Sequence, residues 1–102
     1  MAFAIHVSMT LRRILWNPEK DQMLRLADGR FGIGLAECAV AIEEGRVLDD
    51  IESATRPNQR VFILEIDDYA FVVPYVFDED TVFLKTMFPS RKYTARYLRT
   101  KQ

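Results

Sequence analysis

From Arg60 onward the sequence alternates apolar and polar residues with a period of two and is rich in β-forming residues. The alternating segments cover residues 60–66, 69–77 and 81–88, and the acidic residues at 67–68 and 78–80 between them suit turns. The pattern predicts a three-stranded antiparallel meander. Pro74 falls in the central strand, where it cannot donate a ladder hydrogen bond, so a bulge is expected near it.

The turn lengths predict which residues share a face of this meander. A two-residue turn at 67–68 places Arg60 opposite Tyr75, and a three-residue loop at 78–80 places Tyr75 opposite Phe83. One face then carries Arg60, Phe62, Leu64, Phe71, Val73, Tyr75, Phe83, Lys85 and Met87. The other carries Val61, Ile63, Val72, Val76, Val82, Leu84 and Phe88, with Glu65 as its only charge. The aliphatic face is expected to pack against helices, which leaves the aromatic face as the candidate binding surface, although a one-residue slip would reverse part of this assignment.

The N-terminal half predicts two helices. Asn17 suits an N-cap and Pro18 a first helical position, so the first helix is expected at 18–27 with a buried stripe of Met23, Leu24 and Ala27. Apolar residues recur at helical spacing over 35–44, where Gly45 ends the second helix. Residues 46–58 are polar and are expected to be mostly loop. Residues 1–13 show no clear period until Leu11, and the first ten form either a frayed extension or an extra edge segment. The chain is therefore expected to be a single α+β domain, 1–102, with the order helix, helix, three-stranded meander, helix.

Charge is distributed unevenly along the chain. Residues 81–102 contain six basic residues and no acidic one, whereas the whole chain has 14 basic and 15 acidic residues. Ser90 can cap a last helix at 91–98, in which Lys92, Arg96 and Arg99 share one face and Arg91 lies toward the sheet, near Lys85. This separation favours a polyanion or an acidic partner at the C-terminal end, and a solvated basic helix face remains the alternative.

Residue counts argue against several functional classes. Cys38 is the only cysteine and His6 the only histidine, so a structural zinc site and a Cys/His hydrolase are not expected. No Gly-rich phosphate loop is present, and no cofactor is expected. No apolar run reaches the roughly 18 to 20 residues needed to cross a bilayer, and a cytoplasmic location is expected.

Four segments resemble BrnT-like toxins of bacterial type II toxin–antitoxin systems. They are WNPEK at 16–20, NQRVF at 58–62, FLKT at 83–86, and PSRK with the later Thr94 and Tyr97 in the last helix. The resemblance covers roughly residues 16–97. It implies a RelE-like fold, ribonuclease activity against mRNA, and a small DNA-binding antitoxin as the partner that inhibits it.

Residue roles follow from the resemblance together with the chemistry of RNA cleavage. The candidate catalytic residues are Arg60, Lys85, Arg91 and Lys92, and the candidate substrate-binding residues are Tyr75, Arg96, Tyr97 and Arg99. When RNA is cleaved by its own 2′-hydroxyl, cationic side chains can stabilise the charge on the pentavalent phosphate, an effect worth several kcal/mol in a water-poor site. Lys85, if desolvated among Phe83, Met87 and Tyr75, is expected to act as an acid or a base.

Two other classes of function fit the same residues. The first is a non-catalytic module that holds nucleic acid or an acidic protein through Lys92, Arg96 and Arg99. The second is a structural protein whose aromatic sheet face is an interface with a partner. The tyrosines could donate a proton, stack on a base or simply fill the core.

Overall fold

The structure, a computed structural model, describes the backbone of residues 4–7 and all of residues 13–99. Its elements are β1 (Ala4–Val7), β2 (Arg13–Trp16), α1 (Pro18–Leu26), α2 (Leu35–Glu43), β3 (Val47–Glu52), β4 (Gln59–Ile66), β5 (Tyr69–Asp78), β6 (Thr81–Leu84), β7 (Phe88–Pro89) and α3 (Arg91–Leu98). The α+β class and the order of the three helices are as predicted. No helix in the described part of the chain is long and apolar enough to cross a membrane.

One mixed sheet runs in the order β1-β2-β6-β5-β4-β3, and the short β7 also pairs with β5. All pairs are antiparallel except β2 with β6. The predicted meander is therefore the centre of a wider sheet. Of residues 1–13, Ala4–Val7 forms the edge strand β1, which was one of the two predicted alternatives, and Arg13 begins β2; residues 1–3 and 8–12 lie outside the described part.

The β4–β5 hairpin has the predicted register. Ile66 pairs with Tyr69 and Arg60 with Tyr75. Asp67 and Asp68 form the connection with φ values of 55° and 63°, as a type I′ turn requires. The two-residue turn and the strands on both sides of it are confirmed.

The β5–β6 register differs from the prediction by one residue. Asp78 pairs with Thr81, so the connection has two residues instead of three, and Tyr75 faces Leu84 instead of Phe83. Phe83 consequently points away from the face that carries Tyr75. The prediction that Tyr75 and Phe83 share a face is wrong for this reason.

The third strand of the predicted meander is interrupted at Lys85–Met87, between β6 and β7. Pro74 explains the interruption. The carbonyl of Pro74 accepts a hydrogen bond from the amide of Lys85 at 2.9 Å. Pro74 has no N–H with which to donate the second bond of this pair to Lys85, so the ladder ends there. The β4–β5 pairing is continuous past Pro74, so the bulge expected in the central strand is absent there.

Helices lie on both sides of the sheet. The aromatic residues of β4 and β5 face α1 and α2, which is the reverse of the prediction, whereas Val82 and Leu84 face these helices as predicted. The helix side, against which α1 and α2 pack, carries Phe62, Leu64, Phe71, Val73, Tyr75, Val82, Leu84 and Met87. It faces small residues of α2, namely Cys38, Ala39 and Ala41, all fully buried. Small helix residues leave room for large rings, so the aromatic face fits here better than the aliphatic one. The opposite side, which we call the α3 side, buries Ile63, Ala70 and Val72 under Tyr93 and Tyr97.

Two further predictions about the N-terminal half need correction. Of the predicted stripe on α1, Leu24 alone is buried, whereas Met23 is 65 % exposed and Ala27 is also exposed. The segment predicted to be mostly loop contains the edge strand β3. Its acidic residues disfavour a strand by propensity, but at the edge they reach partners: Asp50 bonds to Arg60 and Tyr75, and Asp49 to Tyr97.

Candidate nucleic-acid interface

Helix α3 crosses the end of the sheet nearest the β4–β5 turn. The amide of Ser90 donates to the carbonyl of Ala70 at 2.9 Å, and the side-chain oxygen of Ser90 caps the helix by accepting from the amide of Tyr93 at 3.1 Å. Thr94, the one buried polar residue among residues 13–99, accepts from the amide of Ala70 at 2.8 Å and donates to the Ser90 carbonyl. These bonds fix the start of α3 on β5.

The other half of the α3 side is not covered by α3. Its surface, which we call the open face, consists of five half-buried apolar residues on four neighbouring strands: Leu15, Val61, Pro74, Val76 and Phe83. Cross-strand pairing places them side by side, because Phe83 pairs with both Leu15 and Val76, and Val61 pairs with Pro74. The open face is thus continuous from β2 to β4.

Two contacts show which flank of α3 faces the open face. The hydroxyl of Tyr97 donates to Asp49, which pairs with Ile63 in the middle of the sheet. Arg99 instead forms an ion pair with Asp68 of the hairpin turn at 3.2 Å. Since residues 97 and 99 point to opposite sides of a helix, the tyrosine flank faces the open face and the other flank faces the turn.

Basic side chains lie over aromatic rings on this side of the sheet. The Lys85 ammonium is 5.8 Å from the centroid of the Phe83 ring, which places Lys85 at the border of the open face. The Lys92 ammonium and the Arg96 guanidinium lie 5.3 and 5.7 Å from the centroid of Tyr93. Such alternation of cations and rings is typical of surfaces that bind single-stranded nucleic acid, where phosphates meet the cations and bases stack on the rings.

The bond between Tyr97 and Asp49 determines the protonation of both groups. The hydrogen bond from Tyr97, with that from the amide of Asp50, holds the pKa of the Asp49 carboxyl below its usual range. The same bond raises the pKa of the Tyr97 hydroxyl. At neutral pH Tyr97 is therefore a protonated donor already bound to Asp49, which suits a positioning role more than that of a free proton donor.

Arg60 and Tyr75 belong to the helix side, so the prediction that they share a face with Lys85 is wrong. The Arg60 side chain donates from Nε to Asp50 Oδ1 at 3.1 Å and from Nη2 to the Asp50 carbonyl at 2.8 Å. The Tyr75 hydroxyl donates to the same Oδ1 at 2.8 Å. Burial, followed by the bond to Asp50, raises the pKa of Tyr75 to about 12. Together with Phe77, these residues line a separate shallow depression of about 200 Å³.

The remaining predicted residues also have definite positions. Lys85 is exposed, and Met87 and Tyr75 lie in the core of the helix side, so the apolar enclosure predicted around Lys85 is absent. Arg91 is exposed at the first turn of α3. The structure thus brings Lys85, Lys92, Arg96 and Tyr97 to one side and separates Arg60 and Tyr75 from them.

The sequence reasoning missed Tyr93 and Asp49. Tyr93 is the ring over which Lys92 and Arg96 lie. Its spacing could have indicated this, because it is next to Lys92, three residues before Arg96 and four before Tyr97. Asp49 could not be found in this way, because its strand was expected to be loop. Among residues 13–99, no group of three Asp, Glu, His or Cys side chains is placed to hold a metal ion.

Comparison of the chain with protein-family models, with curated proteins and with solved structures gave no match. Its function must therefore be inferred from its own residues.

Proposed function

We propose that the chain is the toxin component of a type II toxin–antitoxin pair and that it binds and cleaves single-stranded RNA on the α3 side of its sheet. The observation that carries this proposal is the set of cation–ring contacts made by Lys85, Lys92 and Arg96 on the α3 side. The sequence segments that resemble BrnT-like toxins support it independently. A RelE-like fold and a small DNA-binding antitoxin as inhibitor are part of the same proposal.

The cations have the chemistry that RNA cleavage needs. In that reaction the 2′-hydroxyl gives its proton to solvent water as its oxygen attacks the adjacent phosphorus, the bond to the 5′-oxygen breaks, and the leaving oxygen takes a proton. Lys85, Lys92 and Arg96 would bind the phosphate and stabilise its added charge, and a lysine ammonium would supply the proton. Phe83 and Tyr93 would hold the flanking bases by stacking. No histidine or metal ion is required for these roles.

A non-catalytic nucleic-acid-binding module is the second candidate. It is favoured by the exposure of Lys85, since solvent screens the charge of an exposed group and weakens its effect on a transition state. Both candidates place the RNA on the same surface. They differ only in whether the bound strand is cut.

Expression of the chain alone is expected to arrest bacterial growth and fragment mRNA, and co-expression of its antitoxin should reverse the arrest. The purified protein, in the presence of a metal chelator, should convert RNA into fragments that end in a 2′,3′-cyclic phosphate. Removing one charge that stabilises a transition state costs roughly 100-fold in rate, so Lys85→Ala should slow cleavage by about that factor.

Lys20→Ala on α1 is the matched control, because it removes one lysine from the helix side and should leave the cleavage rate unchanged. Intact RNA after long incubation, with binding retained, would select the non-catalytic module. A chain that neither binds nor cleaves RNA would contradict both candidates.

A further inference from the structure

A second recess lies on the helix side, between the α1–α2 connection and the β4–β5 turn. Its volume is about 320 Å³, near the lower end of the range for ligand pockets, which is roughly 300–1,000 Å³. It is lined by Phe31, Ile33, Ile66, Asp67, Tyr69 and Phe71. None of these residues belongs to the open face, so the recess is separate from the proposed RNA surface.

Three aromatic rings meet at this recess. Phe31 lies 5.9 Å from Tyr69 and 6.3 Å from Phe71, and the last two lie 6.1 Å apart, as measured between ring centroids. The interplanar angles, between 68° and 89°, show edge-on packing in all three pairs. Phe71 is fully buried, so the ring surface open to another group belongs to the exposed Phe31 and the half-buried Tyr69.

The backbone conformation of Phe31 is not explained by burial of its side chain. Its φ is 59°, in the left-handed region that a bulky residue adopts only at a cost in free energy. Its side chain is nonetheless 67 % exposed, so burial recovers little of that cost. The connection is held on both sides, because Arg25 of α1 pairs with Asp21 at 3.0 Å and with Glu37 of α2 at 2.8 Å. Phe31 is thus displayed to solvent on a restrained loop.

Asp67 places a negative charge at the same recess. Its neighbour Asp68 is paired with Arg99, and Glu65 accepts a hydrogen bond from the Asp68 amide. Within residues 13–99, Asp67 has neither a hydrogen bond nor an ion pair. No cationic side chain of residues 13–99 lies over these three rings. This holds also for Arg30, the residue next to Phe31.

We propose that this recess is an aromatic cage that takes the side-chain cation of an arginine or a lysine presented by a partner protein. Ring faces and a carboxylate both attract a cation. The carboxylate acts over a longer distance, whereas the rings act at contact and fix where the cation lies. A protein is the expected source, because the exposed ring of Phe31 offers apolar contact area at the edge of the cage.

Binding can be measured by NMR titration of the full chain with blocked pentapeptides that have arginine, lysine or citrulline at the centre and alanine elsewhere. Citrulline has nearly the shape of arginine but no charge. We expect shifts of the Phe31, Asp67 and Tyr69 signals with arginine and lysine, and affinity for citrulline lower by about threefold to tenfold. Equal affinity for citrulline, or no shift with any peptide, would overturn the proposal.

Two substitutions and one further ligand complete the test. Asp67→Asn keeps the shape of the recess and should weaken arginine binding by a similar factor. Phe31→Gly removes the ring and also the backbone strain, so it should abolish binding while thermal stability is kept or raised; retained binding would contradict the cage. Tetramethylammonium that binds as tightly as the arginine peptide would assign the site to small organic cations and overturn the role of a protein partner. None of these results depends on RNA binding or cleavage.

Discussion

Replacing Lys85, Lys92 and Arg96 together by glutamine should weaken the binding of single-stranded RNA by on the order of 100-fold at low salt, as expected if each phosphate contact contributes about 1 kcal/mol. These are the three cations that lie over Phe83 and Tyr93. The plot of log affinity against log salt should also become shallower by about 2, because each phosphate contact on a single strand contributes roughly 0.7 to the slope.

The matched control changes Lys20, Arg46 and Arg56 to glutamine. These residues lie on α1, just before β3 and in the β3–β4 connection, and none belongs to the open face. The net charge is the same in both triple variants, so a general loss of attraction to RNA would affect them equally. Equal weakening by the two variants would contradict a localised interface.

Phe71→Ala should destabilise the fold by about 3–5 kcal/mol, as is usual when a buried aromatic ring is removed from a core. Phe71 is fully buried on the helix side, in the same cluster as Leu35, Cys38 and Leu84. Since domains of this size are stable by only about 5–15 kcal/mol, most of the protein should be unfolded at moderate denaturant concentration. Chemical unfolding followed by circular dichroism measures the change.

Val76→Ala is the comparison within the same strand. Val76 lies on the open face and is half-buried, so its truncation should cost about 1 kcal/mol or less. The original sequence-based assignment, with the aromatic face exposed, predicts the reverse order of the two effects. A larger loss for Val76→Ala than for Phe71→Ala would contradict the two sheet faces described above.

Local signals in the sequence predicted the local structure well. Asn17 and Ser90 cap their helices as expected, and the two acidic residues of the β4–β5 turn fix its register. The errors arose where tertiary context decides. The β5–β6 turn has one residue fewer than predicted, and this places Phe83 and Lys85 on the face opposite to Tyr75, because side-chain direction alternates along a strand.

The candidate site was predictable only where local signals determine it. Helical spacing correctly placed Lys92 and Arg96 together, and the proximity of Lys85 to an aromatic ring followed from its own strand. The attachment of Arg60 to Asp50 could not be predicted, since it depends on an edge strand whose acidic composition indicated loop. The cage residues come from two segments that are distant in sequence, and only the folded chain shows that they meet.

The most direct test of the RNA-binding surface is an NMR titration with a 2′-O-methyl single-stranded oligonucleotide, which lacks the 2′-hydroxyl needed for cleavage. The largest shifts should fall on the open face and the adjoining flank of α3, namely at Leu15, Val61, Val76, Phe83, Tyr93 and Arg96. Shifts concentrated instead around Arg60 and Phe77, on the helix side, would contradict the account, as would the absence of any shift at low salt.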